Sequence, residues 1–130
     1  MTPARAPAVA TLVTGPSAQA REAAIAASLD SAGQARTTAI ILEGLATGSS
    51  PLDSLPDDLH AMLPLARIAP GCLCCTGNLV LRVTLNRLLR QRPERLFIGV
   101  ARSEHLDQLR SWLQSEPYDQ LLRLTPDLQA

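Results

Sequence analysis

The stretch Gly71-Cys72-Leu73-Cys74-Cys75-Thr76-Gly77-Asn78 places three thiols within four consecutive positions. Thiolates are soft ligands that favour Zn²⁺ or Cu(I), and a turning backbone lets three of them face one ion. Pro70-Gly71 before the thiols and Gly77 after them supply that turn. A closed structural zinc site takes four protein ligands, so three thiolates are either completed by another residue or left open for transfer. Candidates for the fourth place are Glu43, His60, His105 or water, although both histidines read more simply as surface residues. Two other readings stay open. Cys72 or Cys74 can fill core space as a small apolar side chain, and Cys74-Cys75 can be a reactive thiol pair. Three cysteines at this spacing, flanked by turn residues and entering a helix, favour a metal site through Cys72, Cys74 and Cys75.

The elements that must hold these groups can be read from apolar patterning. Val9–Thr14 forms a short buried strand, Gly15-Pro16 a turn, and Ala18–Leu29 an Ala-rich helix closed near Gly33. The β-branched run Thr37–Glu43 is typical of a parallel strand covered on both faces, which puts Glu43 at a strand end. Residues 44 to 58, rich in Gly, Ser, Pro and Asp, form a long loop. Leu59–Ile68 is a short helix or an extended segment interrupted at Pro64. Asn78–Gln91 is a helix with Leu81, Leu85, Leu88 and Leu89 on one face and Arg82, Arg87 and Arg90 turned away from it. Leu96–Val100 is another buried strand. Ser103 caps a helix to Trp112 or Leu113, buried through Leu106, Leu109 and Leu113, and Gln120–Thr125 is the last strand. Trp112 belongs to the core in this pattern. Strands alternating with helices predict an α/β three-layer sandwich with a mainly parallel sheet. Residues 1–7 are expected to be a disordered tail, 8–125 one domain, and 126–130 a C-terminal tail.

The Gly-Cys-x-Cys-Cys motif, followed by an amphipathic helix and then an apolar strand, resembles the CobW-type branch of the P-loop metallochaperone GTPases, the group that includes the HypB and UreG types. The likeness in element order runs from Val9 to Leu124. It implies a P-loop-NTPase-like fold, here a partial G domain, and a role in handling zinc, cobalt or nickel for delivery to a client metalloprotein. It also implies a nucleotide site for GTP with Mg²⁺ at the first turn, and there this sequence departs from the family. Along Gly-x-x-x-x-Gly-Lys-[Ser/Thr], Gly15 matches the first glycine, Ser17 lies within the loop, and the last three positions fall on Ala20, Arg21 and Glu22. These five residues are what the resemblance leaves of a vestigial, degenerate Walker A site. The lysine normally neutralises the β- and γ-phosphates and the hydroxyl holds Mg²⁺. Arg is a planar fork rather than a compact ammonium. A carboxylate about 4 Å from a phosphate oxygen opposes binding by roughly 4 kcal/mol per charge pair near a surface.

Leu42-Glu43-Gly44 with Gly48 is loosely similar to the family's Asn-Glu-x-Gly switch loop. Gly99-Val100-Ala101-Arg102 stands where the family shows an acidic residue and a Ser-Gly pair. No Lys occurs in the chain, so no other register restores the loop, and the guanine-reading Asn-Lys-x-Asp segment is missing.

Composition narrows the remaining classes. The 130 residues are 46% hydrophobic, enough for one core, with Phe97, Trp112 and Tyr118 as the only aromatics. Twelve Arg balance twelve acids, so no overall field favours nucleic acid or an anionic membrane. The local run Arg82, Arg87, Arg90, Arg92 and Arg95 reads as a solvated helix face, without the aromatic platforms of single-strand binders. No stretch reaches the roughly 18 apolar residues of a membrane span. Arg5, Ala8–Val13 and Ser17-Ala18-Gln19-Ala20 mimic a secretory leader, but the apolar part is short and interrupted by Thr11. Three cysteines, two of them adjacent, fit reduced thiols in the cytoplasm better than a disulfide framework. The expected protein is thus a metal-binding domain rather than an enzyme. A metal ion and a client, or a full-length CobW-like relative, are its expected partners. Weak nucleotide binding at the first turn, with GTP hydrolysis as the activity if any is retained, is the alternative, beside a redox or structural domain.

Overall fold

A computed structural model describes residues 7–31, 37–43, 65–68, 79–101, 106–116 and 118–130. Cys72, Cys74, Cys75, His60, His105, Ser103 and residues 44 to 58 lie outside these segments, as do residues 1–6 of the expected N-terminal tail.

Six strands make one sheet in the order β3-β2-β4-β1-β5, with β6 also paired to β1. They are β1 (Ala8–Thr14), β2 (Thr38–Glu43), β3 (Leu65–Ile68), β4 (Arg95–Gly99), β5 (Leu122–Leu124) and β6 (Leu128–Gln129). Every pairing is parallel. The helices are α1 (Ala18–Ser31), α2 (Leu79–Leu89), α3 (Leu106–Leu113) and the single turn α4 (Tyr118–Leu121). This is the predicted three-layer α/β sandwich.

The period of two along each strand divides the core between the faces. Ala39 and Ile41 of β2, with Ala10, Leu12, Leu96 and Ile98, meet Leu81, Leu85 and Leu88 of α2 and Leu109 and Leu113 of α3. Ile40 and Leu42, with Val13 and Phe97, meet Ile25 and Leu29 of α1. All six residues of β2 are buried, as a continuous apolar run covered by helices on both faces requires. No helix of the described residues is long and apolar enough to cross a membrane.

Three expectations change. Gln120 and Leu121 are helical, not strand, because Tyr118 and Asp119 donate their N–H groups to the Ser115 carbonyl and the Tyr118 hydroxyl anchors the turn on Asn86 at 2.8 Å. Residues 126–130 are no tail, since β6 continues the sheet along β1. Trp112 is only half-buried, packing at the core's rim with its ring 5.0 Å from that of Tyr118. In the basic run Arg82, Arg87, Arg90 and Arg92 are exposed as expected, while Arg95 lies 5.6 Å from the Phe97 ring centre and is half-buried.

Candidate functional site

The chain leaves β1 through α1, which packs over one face of the sheet, and leaves β4 through α3, which packs over the other. Adjacent β1 and β4 therefore send their following segments to opposite faces, and a crevice opens between their carboxyl ends. In open α/β sheets this is where ligands bind. A cavity of about 250 Å³ occupies the place, lined by Thr14, Gly15, Val100, Ala101, Gln129 and Ala130.

The turn from β1 into α1 is short. Ser17 caps the helix: its hydroxyl accepts the Ala20 N–H at 3.1 Å and its carbonyl accepts the Arg21 N–H at 3.1 Å. Helix α1 thus begins at Ala18, and the positions aligned with the last glycine, lysine and hydroxyl of a phosphate loop all lie inside it. Gly15 is required by packing. A Cβ there would come within 2.7 Å of the Ala130 Cβ and 3.3 Å of the Arg21 Cγ.

Arg21, 6% exposed, donates to the Gly15 carbonyl at 3.0 Å and so braces the turn from behind. Glu22 is equally buried and pairs with Arg67 of β3. The repulsion that a bare carboxylate would exert on a phosphate is thereby offset by a guanidinium. Glu43, buried at the end of β2, accepts the Ala101 N–H at 2.8 Å through Oε1, fastening the exit of β4 to the exit of β2. Two arginines and two carboxylates thus stand along the carboxyl edge of the sheet.

Gly15, Ser17, Ala20, Arg21 and Glu22 are brought together at the α1 start, and Glu43 lies two strands away across β4. Cys72, Cys74 and Cys75 lie outside the described residues. Among the described residues no three His, Cys, Asp or Glu side chains cluster as a metal site. Sequence reasoning overlooked Arg67, whose signal was a lone charge inside the apolar strand Leu65–Ile68. It also overlooked Gln129 and Ala130, which line the cavity from a segment read as a tail. Comparison with protein-family models, curated proteins and solved structures finds no match for the chain.

Proposed function

We propose that this domain binds a thiophilic metal ion, zinc on ligand softness, through Cys72, Cys74 and Cys75, and passes it to a client metalloprotein or a full-length CobW-like relative. The donor set fits, because three thiolates match a tetrahedral soft-metal site with one position left for exchange. The supporting observation is the register of β2 and β3, in which Glu43 stands beside Ile68, the last residue of the strand that leads toward the cysteines. Cys72 follows Ile68 by four positions, a reach of at most about 14 Å. That reach is compatible with a metal held jointly by the thiols and a ligand from the carboxyl edge of the sheet, the edge that carries Glu43 and the crevice. Glu43 is the candidate fourth ligand, although its bond to Ala101 gives it a structural task as well.

The short turn and the buried Arg21 support a binding role over GTP hydrolysis. A compact ammonium and a Mg²⁺-holding hydroxyl are what that chemistry needs at the helix start, and the chain has Arg21 and Glu22 there. Reduced thiols place the protein, in this reading, in the cytoplasm.

The test is a Zn²⁺ titration against a chromophoric chelator under reducing conditions, with a Cys72/Cys74/Cys75→Ser triple variant alongside. One-to-one binding that the variant loses is expected. Equal behaviour of the two proteins removes the metal reading. Thermal melts with GTP and Mg²⁺ separate the nucleotide alternative, for which a saturable rise in Tm is required.

A further inference from the structure

Charge is segregated along this chain. Between Asp58 and Glu94 no acidic residue occurs, while Arg67, Arg82, Arg87, Arg90 and Arg92 fall in that interval. The fold gathers part of this charge on one surface. On α2, Arg82 and Arg87 are exposed, as is Arg90 just past its end, and beside them Val80 and Val83 are 58% and 57% exposed. Those are the two most exposed large apolar side chains among the described residues.

The neighbouring surface has the opposite sign. Asp107 on α3, Glu116 just after it and Asp119 on α4 are all exposed. The half-buried Arg110 is already engaged with Asp127 at 2.6 Å. Helices α2, α3 and α4 share one face of the sheet, where their apolar sides enter a common core. The hydrogen bond from the Tyr118 hydroxyl to Asn86 sets α4 directly against α2. Among the described residues none of the six exposed charged side chains, three basic and three acidic, forms an ion pair.

We infer that this face binds a second copy of the chain, as a twofold-symmetric dimer in which α2 of each copy lies on α3 and α4 of the other. A twofold interface must be self-complementary, because the same patch is presented by both partners. Here the charges choose between two arrangements. Helices α2 and α3 both return from the carboxyl to the amino edge of the sheet and so run the same way. A twofold axis parallel to them sets each basic helix on the partner's acidic pair, with Val80 and Val83 covered between. An axis across them sets α2 on α2 and faces arginine with arginine. Like-charge juxtaposition rejects the second arrangement and the first satisfies all six groups. The balanced net charge of the chain raises no long-range barrier to the encounter.

The face is small. Helices of 11 and 8 residues are about 16 and 12 Å long. The dimer therefore belongs among the weak, concentration-dependent associations. It goes beyond the metal reading and does not depend on it.

Sedimentation velocity over roughly 10–200 µM protein tests this in a range where a weak interface is populated. The wild-type chain should shift from monomer to dimer, and raising salt from about 50 to about 500 mM should weaken the association about tenfold. R82E/R87E/R90E should be monomeric, and so should D107R/E116R/D119R, each with unchanged far-UV circular dichroism. An equimolar mixture of the two variants should form a heterodimer, since acid then meets base at both contacts. A wild-type chain monomeric at every concentration leaves the face to solvent or to another acidic partner and overturns the inference. So does a dimer that survives either set of reversals, or a mixture that fails to associate.

Discussion

The Arg67 guanidinium on β3 donates to both oxygens of the Glu22 carboxylate on α1, at 3.2 and 3.4 Å. This two-pronged contact crosses one face of the sheet, from the helix that follows β1 to the edge strand. It also makes the buried Glu22 part of the scaffold that holds the start of α1 to the sheet. The Glu22 side chain is 7% exposed and that of Arg67 is 21% exposed, so removing the cation takes a bidentate, charge-assisted partner from a mostly buried carboxylate. Arg67→Met should lower the unfolding free energy by about 2–3 kcal/mol, read from urea denaturation. Arg67→Lys should recover only part of it, because an ammonium cannot match both oxygens. A loss under about 0.5 kcal/mol for Arg67→Met would place the pair among screened surface contacts.

Tyr118 predicts an alkaline limit to stability. Burial raises its phenol above the ordinary value of 10.0, with the Arg82 charge and the Asn86 hydrogen bond pulling the other way. The folded state therefore holds the phenolic proton more tightly than the unfolded state. Stability from this group is complete below the unfolded value and is lost as pH rises through the folded one. Urea midpoints measured from neutral pH to about pH 11 should fall at the alkaline end, on top of any general alkaline loss. Tyr118→Phe should lose about 1 kcal/mol at neutral pH with the hydrogen bond to Asn86, and should show a shallower alkaline fall. Parallel curves for the two proteins would contradict this.

The turn that follows α2 ends on Arg92 at φ 54°, in the left-handed region. Its N–H donates to the Leu89 carbonyl at 3.1 Å, and the buried Pro93 follows. Side chains other than glycine are disfavoured there, and glycine is the usual residue past a helix end. Arg92→Gly should therefore stabilise the protein by roughly 0.5–1 kcal/mol after the greater freedom of glycine in the unfolded chain is deducted. Unchanged or lower stability would mean that the arginine side chain contributes more than the backbone strain costs.

Gly15→Ala tests the closure of the crevice. The added methyl meets Ala130 first, and the Ala130 N–H donates to the Thr14 carbonyl at 2.7 Å. A loss of about 1–2 kcal/mol is expected as the end of β6 is pushed aside. Faster amide exchange at Ala130, with that at Ile98 unchanged, would locate the change. Uniform loss of protection would instead indicate a global effect.

The elements legible in the sequence were those whose pattern is long compared with its ambiguity. Thr38–Glu43 and Arg95–Gly99 are runs that only a strand covered on both faces accommodates. Leu81, Leu85 and Leu88 repeat at helical spacing. The misread parts are short. Tyr-Asp-Gln-Leu-Leu serves a helical turn or a strand equally well, and the Ser115 carbonyl and Asn86 decide for the turn. Leu128-Gln129 has no periodicity, and its strand exists because β1 still has pairing groups beyond the end of β5. At the candidate site, the local sequence showed Glu22 and Glu43 but not their partners. Arg67 and Ala101 come from distant parts of the chain, and only the strand order brings them within reach.

The margin of β1 next to β5 and β6 has a further consequence. From Ala10 to Val13, β1 advances three residues while its neighbour advances four, from Leu124 to Leu128. The extra residue falls in the stretch containing Pro126, which has no N–H, and Arg110 from α3 grips Thr125 and Asp127 on either side of it. Among the described residues the other rim of the sheet is β3, four residues long with Arg67 in its interior. A growing fibril needs a long, flat, regularly spaced row of backbone donors and acceptors to copy itself, and neither rim offers one. The fold thereby carries its own protection against templated polymerisation, placed at the boundaries of an otherwise apolar sheet.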